Sequence, residues 1–372
     1  MLPFVEALAL RLTSAGVAVD RITTGVPILH PQLDTSSVVW TEGSPTAERS
    51  WIMAPEHYVM RQNSPLHSAY FHGESSRAVI GAERVPGEFG VVDDLRKAGF
   101  ADYMVLPAPF SDGSFKAMSF ATRSRDGFRD SDVALLTQVM PAVALIMELI
   151  TSYRTSRTLL TTFLGQQIGE RVLKGQVRRG QADEIPAVIW FSDLRGSTPL
   201  AEALEPRAFL DLLNAYLECM AEAVLEHDGE VLRFIGDAAL GIFPITADNP
   251  VGPTCARAIK AGRSAIGRME ALNNERRQAG LPSVEFGVGL HVGDVLYGNI
   301  GAATRLEFTV IGAAANEAAR IEGLCKTLGH RLLVSDKVAT HVPERVTDLG
   351  LHALRGVGSE VRIFSGDAPA AN

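Results

Sequence analysis

The chain has few cysteines, no surplus of positive charge, no long apolar run and no repeated or low-complexity tract. Each absence removes a class of explanation. Cys219, Cys255 and Cys325 stand far apart and outside any CxxC spacing. Neither a disulfide framework nor a cysteine-held zinc is expected, and a reducing compartment fits. The formal net charge of -8 gives the surface as a whole no attraction for nucleic acid or anionic lipid. The longest purely apolar stretch, Val139 to Met147, is flanked by Asp132 and Glu148 and is too short to cross a bilayer. The N-terminus carries Glu6 early and no basic leading segment, which makes it a poor signal peptide. Its Val5, Leu8 and Leu12 suit an amphipathic helix. The expectation is a soluble, cytoplasmic protein with no membrane span and no nucleic-acid partner.

What is present is ordinary in amount and unusual in placement. With 372 residues, 46% hydrophobic and 21% charged, the chain has room for two domains with proper cores. Residues 1–152 mix short strands with helical patterns. Tyr103 to Thr122 reads as two strands around the turn Ser111-Asp112-Gly113-Ser114. A long helix follows, with Asp130 or Ser131 as its cap. Residues 153–184 read as a helical connector that places Leu160, Phe163 or Leu164, Ile168 and Val172 on one stripe. That stripe suits either a face packed on its own domain or one strand of a parallel helix pair. Residues 185–372 alternate strands and helices. A strand from Ala187 to Phe191 leads to a helix capped by Thr198, with Pro199 at its first position. A second helix spans about Pro206 to His227. A hairpin, "GEVLRFIGDAALGIFP", comes next, then a helix from about Cys255 to Arg277. "GVGLHVGDVLYGNIG" reads as a strand and a turn, its glycines serving tight backbone turns. His291 within it reads as a structural histidine rather than a general base.

The chemistry is suggested by two aspartates. Asp193 ends the apolar run from Ala187 to Phe191, and Asp237 sits at the hairpin tip beside Gly236. Either alone would pass as a turn or cap residue. If the strand and the hairpin are neighbours, the two carboxylates meet at one sheet edge. There they repel unless cations lie between them. Oxygen ligands favour Mg²⁺ or Mn²⁺ over zinc, and Mg²⁺ fills its shell with substrate phosphates. The backbone at Gly196, Ser197 and Thr198 enters a helix N-terminus, which favours a polyphosphate.

Four spaced motifs, "FSDLRGST", "EVLRFIGDAALGIFP", "GVGLHVGDVLYGNIG" and "FTVIGAAANEAARIE", resemble the catalytic domain of class III nucleotidyl cyclases, most of all its bacterial adenylate cyclase branch. The resemblance covers about residues 185 to 367. It implies a ferredoxin-like α+β domain, working as a head-to-tail homodimer with sites at the interface. It further implies that Asp193, Asp237 and the Leu194 carbonyl bind two Mg²⁺ or Mn²⁺ ions. Asn316 would orient the ribose, and Arg320 would stabilise charge on the α-phosphate of ATP. Arg233 and Thr309 would read the base, and Arg355 stands where a lysine usually holds the terminal phosphates. Phe191, Gly196, Ser197 and Thr198 complete the candidate substrate contacts.

Two positions depart from the family. Arg233 stands where adenylate cyclases generally have lysine, and its planar fork is not equivalent to an ammonium. Guanylate cyclases tend to carry an acidic residue there. Arginine has no acceptor, so Arg233 argues against guanine. Ala313 stands where Asp or Asn is common. The segment from Tyr103 to Leu149 resembles the C-terminal half of a GAF-type sensor domain. That implies an N-terminal domain, residues 1–152, responding to an unknown ligand or partner. His57, Tyr58, His67, Tyr70, Phe71 and His72 are candidate pocket residues there, with core or surface roles as the plainer alternative. The expected function is an adenylate cyclase regulated by that sensor. The alternatives are a catalytically degenerate nucleotide-binding module and a guanylate cyclase.

Overall fold

The structure, a computed structural model, describes residues 1–27, 35–51, 64–83, 89–302, 304–354 and 360–367. His57, Tyr58 and Arg355 lie outside the described residues. The chain divides into two units, Met1–Thr162 and Phe163–Asn372.

The N-terminal unit is built on a six-stranded antiparallel sheet in the order β3-β2-β1-β6-β5-β4. Its strands are β1 (Arg21–Pro27), β2 (Thr35–Thr41), β3 (Ala47–Trp51), β4 (Ser76–Val79), β5 (Asp102–Pro109) and β6 (Phe115–Thr122). Side chains alternate across a strand, and both faces are used. One face puts Ile22, Val38, Met104 and Phe120 against α1 (Leu2–Ser14) and α4 (Asp130–Leu164). The other puts Tyr103, Val105 and Ala121 against α2 (Leu66–His72) and α3 (Gly90–Lys97). An antiparallel sheet between helices is compatible with a GAF-like sensor. The β5–β6 turn forms as expected: Asp112 accepts from the Ser114 N–H at 2.9 Å, and Gly113 takes φ +81. Of the candidate pocket residues, Tyr70 donates to the Gly25 carbonyl at 2.5 Å. His67 lies against Phe71 with ring centroids 4.6 Å apart, and Phe71 stays largely exposed.

Helix α4 corrects the sequence reading. It does not close near residue 153 but runs for 35 residues to Leu164. By length and composition it could cross a membrane, yet its Leu136, Met140, Val143, Ala144 and Met147 are buried in the core of the N-terminal unit. Gly165, at φ +86, separates it from α5 (Gln166–Leu173). The expected connector stripe is therefore split at that glycine. Ile168 is fully buried, and Leu164 and Val172 pack beside it on the core of the C-terminal unit, whereas Phe163 is 79% exposed.

The C-terminal unit runs β7 (Ala182–Leu194), α6 (Ser197–Ala203), α7 (Pro206–Leu225), β8 (Glu230–Ile235), β9 (Ala238–Pro244), α8 (Val251–Gln278), β10 (Phe286–Ala302), β11 (Arg305–Ile311), α9 (Ala313–Leu328), β12 (Leu332–Ser335), α10 (Asp336–Ala339), β13 (Thr347–His352) and β14 (Val361–Ser365). Its eight-stranded sheet has the order β13-β14-β12-β10-β7-β9-β8, with β11 paired to β10. The segment β10-β7-β9-β8, with helices α7 and α8, has the β-α-β-β-α-β arrangement of a ferredoxin-like core. Central β7 reads as an unbroken apolar run because both of its faces are covered. Val188 and Trp190 face α7 and α8, together with Tyr216, Met220, Ile259 and Phe243. Ala187 and Ile189 face the opposite side with Ile168, Ile242, Ala314 and Ala318. Burying one such large side chain stabilises the fold by about 1.5–3 kcal/mol.

Two further expectations change. Helix α6 starts at Ser197 with Gly196 as N-cap, so Thr198 is its second residue and caps nothing. And "GVGLHVGDVLYGNIG" contains no turn: β10 is one 17-residue strand. Its glycines serve packing instead. A Cβ on Gly289 would collide with the Ala318 carbonyl and lie 2.5 Å from the Glu322 nitrogen. One on Gly293 would lie 2.7 Å from the Ala314 Cβ. Helix α9 thus rests directly on the strand backbone. Gly289→Ala is expected to destabilise the C-terminal unit by roughly 3 kcal/mol, the upper end of overpacking costs. Unfolding by denaturant checks this, and a loss under 1 kcal/mol on the same scale would contradict the packing described.

Candidate active site

The two carboxylates meet because of strand register. Asp193, near the end of β7, pairs with Ala238, the first residue of β9. Asp237 immediately precedes Ala238 in the two-residue β8–β9 turn, where Gly236 adopts φ +63. Both aspartates are half-buried. Burial pushes the Asp193 carboxyl above its ordinary pKa, the facing Asp237 carboxylate adds to the rise, and the Arg195 guanidinium opposes it. Like charges held this close are the arrangement a cation would relieve. Among the described residues no group of three or more His, Cys, Asp or Glu side chains forms a metal cluster. The two carboxylates form an all-oxygen, incomplete set. That set fits a hard cation whose remaining ligands come from phosphates and water.

Phe191, two residues upstream of Asp193, is half-buried and packs on the core beneath the edge. Gly196, Ser197 and Thr198 follow β7 and Arg195, with Gly196 at φ +67. The Arg195 N–H donates to the Glu285 carbonyl at 2.7 Å, which closes the loop against the start of β10.

Asn316 and Arg320 lie one turn apart on α9 and so share a helix face. Asn316 is exposed and Arg320 half-exposed. The glycines of β10 fix the height of this helix over the sheet. Beneath it, the buried His291 places Nε2 3.1 Å from Glu317, and burial holds the His291 pKa below its ordinary value. The sequence reading missed a second support. Arg195 reaches from the end of β7 to α9, where it forms an ion pair with the Glu322 carboxylate and donates to the Glu322 carbonyl at 2.8 Å. Only the small Gly287, whose Cβ would sit 2.5 Å from both side chains, leaves room for this pair.

Glu322 is 3% exposed. Burial pushes its carboxyl up to about 7, Arg195 opposes the rise, and Asp193 and Asp237 add to it. A carboxyl with a raised folded pKa binds its proton more tightly folded than unfolded. Its stabilising contribution is complete below the ordinary value of 4.5 and is lost as pH rises through about 7. In chelator, the urea midpoint should therefore fall from about pH 5.5 to about pH 7.5, and Glu322→Gln should flatten that fall. A midpoint that climbs over this range would show the sign to be wrong.

Arg233 and Thr309 occupy β8 and β11. Thr309 is 5% exposed, and its hydroxyl has no hydrogen-bond partner. The Arg233 guanidinium is paired with Glu307, Nη1 to Oε2 at 2.7 Å. The sequence reading also missed Glu307. The available signal was its spacing, two residues before Thr309 on a strand and so on the same face.

The comparisons with known proteins agree with this architecture. Residues 180–359 match the family described as the adenylate and guanylate cyclase catalytic domain. An adenylate cyclase of Anabaena cylindrica is 35% identical over 167 residues, 44% of this chain and 32% of that protein. Adenylate cyclase 1 of Rhizobium meliloti is 28% identical over 259 residues, 67% of this chain and 38% of that protein. The chain thus spans about a third of the length of these relatives. A solved bacterial light-regulated adenylyl cyclase superposes with a TM-score of 0.51 at 21% identity, covering 63% of this chain and 67% of that one, which shows a shared fold. Residues 180–359, within the C-terminal unit, thus form a catalytic domain of the class III adenylate and guanylate cyclase family.

Proposed function

We propose that the C-terminal unit converts ATP to 3′,5′-cyclic AMP and pyrophosphate at sites shared by two copies of the chain. The observation that supports this best is the pair Asp193 and Asp237 at one sheet edge, combined with Asn316 and Arg320 on one face of α9. Asp193, Asp237 and the Leu194 carbonyl would hold two Mg²⁺ or Mn²⁺ ions. When bound, such ions lower the pKa of the ribose 3′-hydroxyl and neutralise charge on the departing pyrophosphate. Asn316 orients the ribose so that its 3′ oxygen lies in line with the α-phosphate. Arg320 of the other copy donates to the α-phosphate oxygens as negative charge gathers there. Arg233 donates to the N1 acceptor of adenine, and Thr309 accepts from its amino group. Phe191 and the backbone at Gly196, Ser197 and Thr198 line the phosphate side, with Arg355 as the candidate for the terminal phosphates. Catalysis of this kind is chiefly positioning and charge neutralisation, and it needs no side-chain nucleophile.

The N-terminal unit is read as a GAF-like sensor whose occupancy sets the arrangement of the dimer, with residues 153–184 as the connector. This reading puts the protein in the cytoplasm, with ATP. The direct test is incubation of the purified chain with ATP and with GTP, in Mg²⁺ and in Mn²⁺, with products detected by mass spectrometry. Cyclic AMP and pyrophosphate in equal amounts, absent from the Asp193→Ala, Asp237→Ala form, are expected. Nucleotide binding without any cyclic product would instead support a non-catalytic binding module.

A further inference from the structure

We propose that Glu307 is a specificity-determining residue that supplies the base pocket with a hydrogen-bond acceptor and admits guanine alongside adenine. This rests on the reading of Arg233 and Thr309 as base contacts.

Two observations place the pair in one groove, and a third lies on the same strand. Arg233 and Glu307 are paired at 2.7 Å across 74 residues of sequence. They line a cavity of about 370 Å³ together with Ile168, Leu232, Phe234 and Leu306, a volume in the range of small-molecule sites. Thr309, on the same face of β11 as Glu307, holds a buried hydroxyl with no partner. A buried polar atom is normally satisfied, so this hydroxyl, two residues from Glu307 on β11, has hydrogen-bonding capacity to spare. The pair itself is a poor stabiliser of the fold. Its side chains are 42% and 48% exposed, and ion pairs in that setting contribute little. Glu307 Oε1 also faces Arg305 Nη2 at 3.7 Å, beyond hydrogen-bonding range, and Arg233 and Glu307 each retain donor or acceptor capacity for a ligand.

The chemistry of the two bases then decides the role. Adenine presents an acceptor at N1 and a donor at its 6-amino group. Guanine presents an acceptor at O6 and donors at N1 and its 2-amino group. Arginine only donates, and an ionised carboxylate only accepts. Arg233 alone satisfies adenine N1 but would leave guanine N1–H without a partner. Held together, Arg233 donates to O6 while Glu307 accepts from N1–H and the 2-amino group. The same pair meets adenine with Arg233 at N1 and with Glu307 or Thr309 at the amino group. The sequence argument against guanine considered Arg233 by itself, and the ion pair removes its premise.

The test uses the full-length chain as wild type, Glu307→Ala and Glu307→Asp, with ATP, GTP and ITP, which lacks the 2-amino group of GTP. Wild type is expected to cyclise GTP as well as ATP and to prefer GTP over ITP. In Glu307→Ala the ratio of kcat/KM for GTP to that for ATP should fall tenfold or more, and the preference for GTP over ITP should disappear. Glu307→Asp should recover part of both. A merely structural ion pair would change all three nucleotides in parallel, and that result overturns the proposal, as does a wild type that takes no GTP. Displacement of a fluorescent ATP analogue by GTP, ITP and ATP reads base choice without turnover. If displacement follows the expected order while no cyclic product forms, the cyclase reading fails and the role of Glu307 stands. If none of the nucleotides displaces the analogue, both fail.

Discussion

Asp193→Ala should lower cyclic nucleotide formation by roughly a thousandfold or more, since a lost metal site removes several kcal/mol of charge stabilisation and each 1.36 kcal/mol is tenfold. The same substitution should leave the metal-free protein as stable as before, or more so. The Asp193 carboxyl is held above its ordinary pKa by burial and by Asp237, which means that the folded state disfavours its ionised form. Removing it relieves that cost. A divalent cation with a nucleotide should raise the unfolding midpoint of wild type and have little effect on the variant. Loss of activity with a collapsed midpoint in chelator would show that Asp193 serves the fold, and activity within tenfold of wild type would remove it from the site.

The second large effect is a recovery. Arg320→Ala should cut kcat by roughly a hundred- to a thousandfold, as removal of one donor to a developing anion does elsewhere. Mixed one to one with Asp193→Ala, it should regain about a quarter of wild-type activity, because half the dimers in a symmetric exchange are mixed and each mixed dimer holds one intact site. This follows only if Asp193 of one copy and Arg320 of the other serve the same site. Each parent alone retains at most about a hundredth of wild-type activity, so the signal rises from a low baseline. No recovery after subunit exchange, verified by size and tag capture, would place the complete site within a single chain.

Much of the site could be read from residues in order. An apolar run ending in Asp193, and a glycine before Asp237 at a hairpin tip, announce two carboxylates at strand ends, because strand and turn preferences act over a few residues. Asn316 and Arg320 were singled out by the family resemblance, and the helical period puts them on one face. The expected Pro206 helix, the β5–β6 turn and the β8–β9 hairpin form for the same local reasons.

Other features stayed hidden. Glycines at 287, 289 and 293 suggested turns, yet they lie within a single strand and make room for α9. Absence of a Cβ permits either, and only the neighbouring helix decides. The connector stripe gave no hint that Gly165 would divide it, sending Ile168 into the C-terminal core. Arg233 read in isolation gave no sign of the carboxylate paired with it, because Glu307 is 74 residues away. Arg195 looked like a loop residue until Glu322, 127 positions on, closed around it. By itself the amino-acid order determined most of the elements and where along them the carboxylate and guanidinium groups fall, since those depend on short-range periodicity. Only the tertiary structure decided which charges face one another and how deeply they are buried. Those distances and burials set the strength of an electrostatic interaction, and separation along the chain does not encode them.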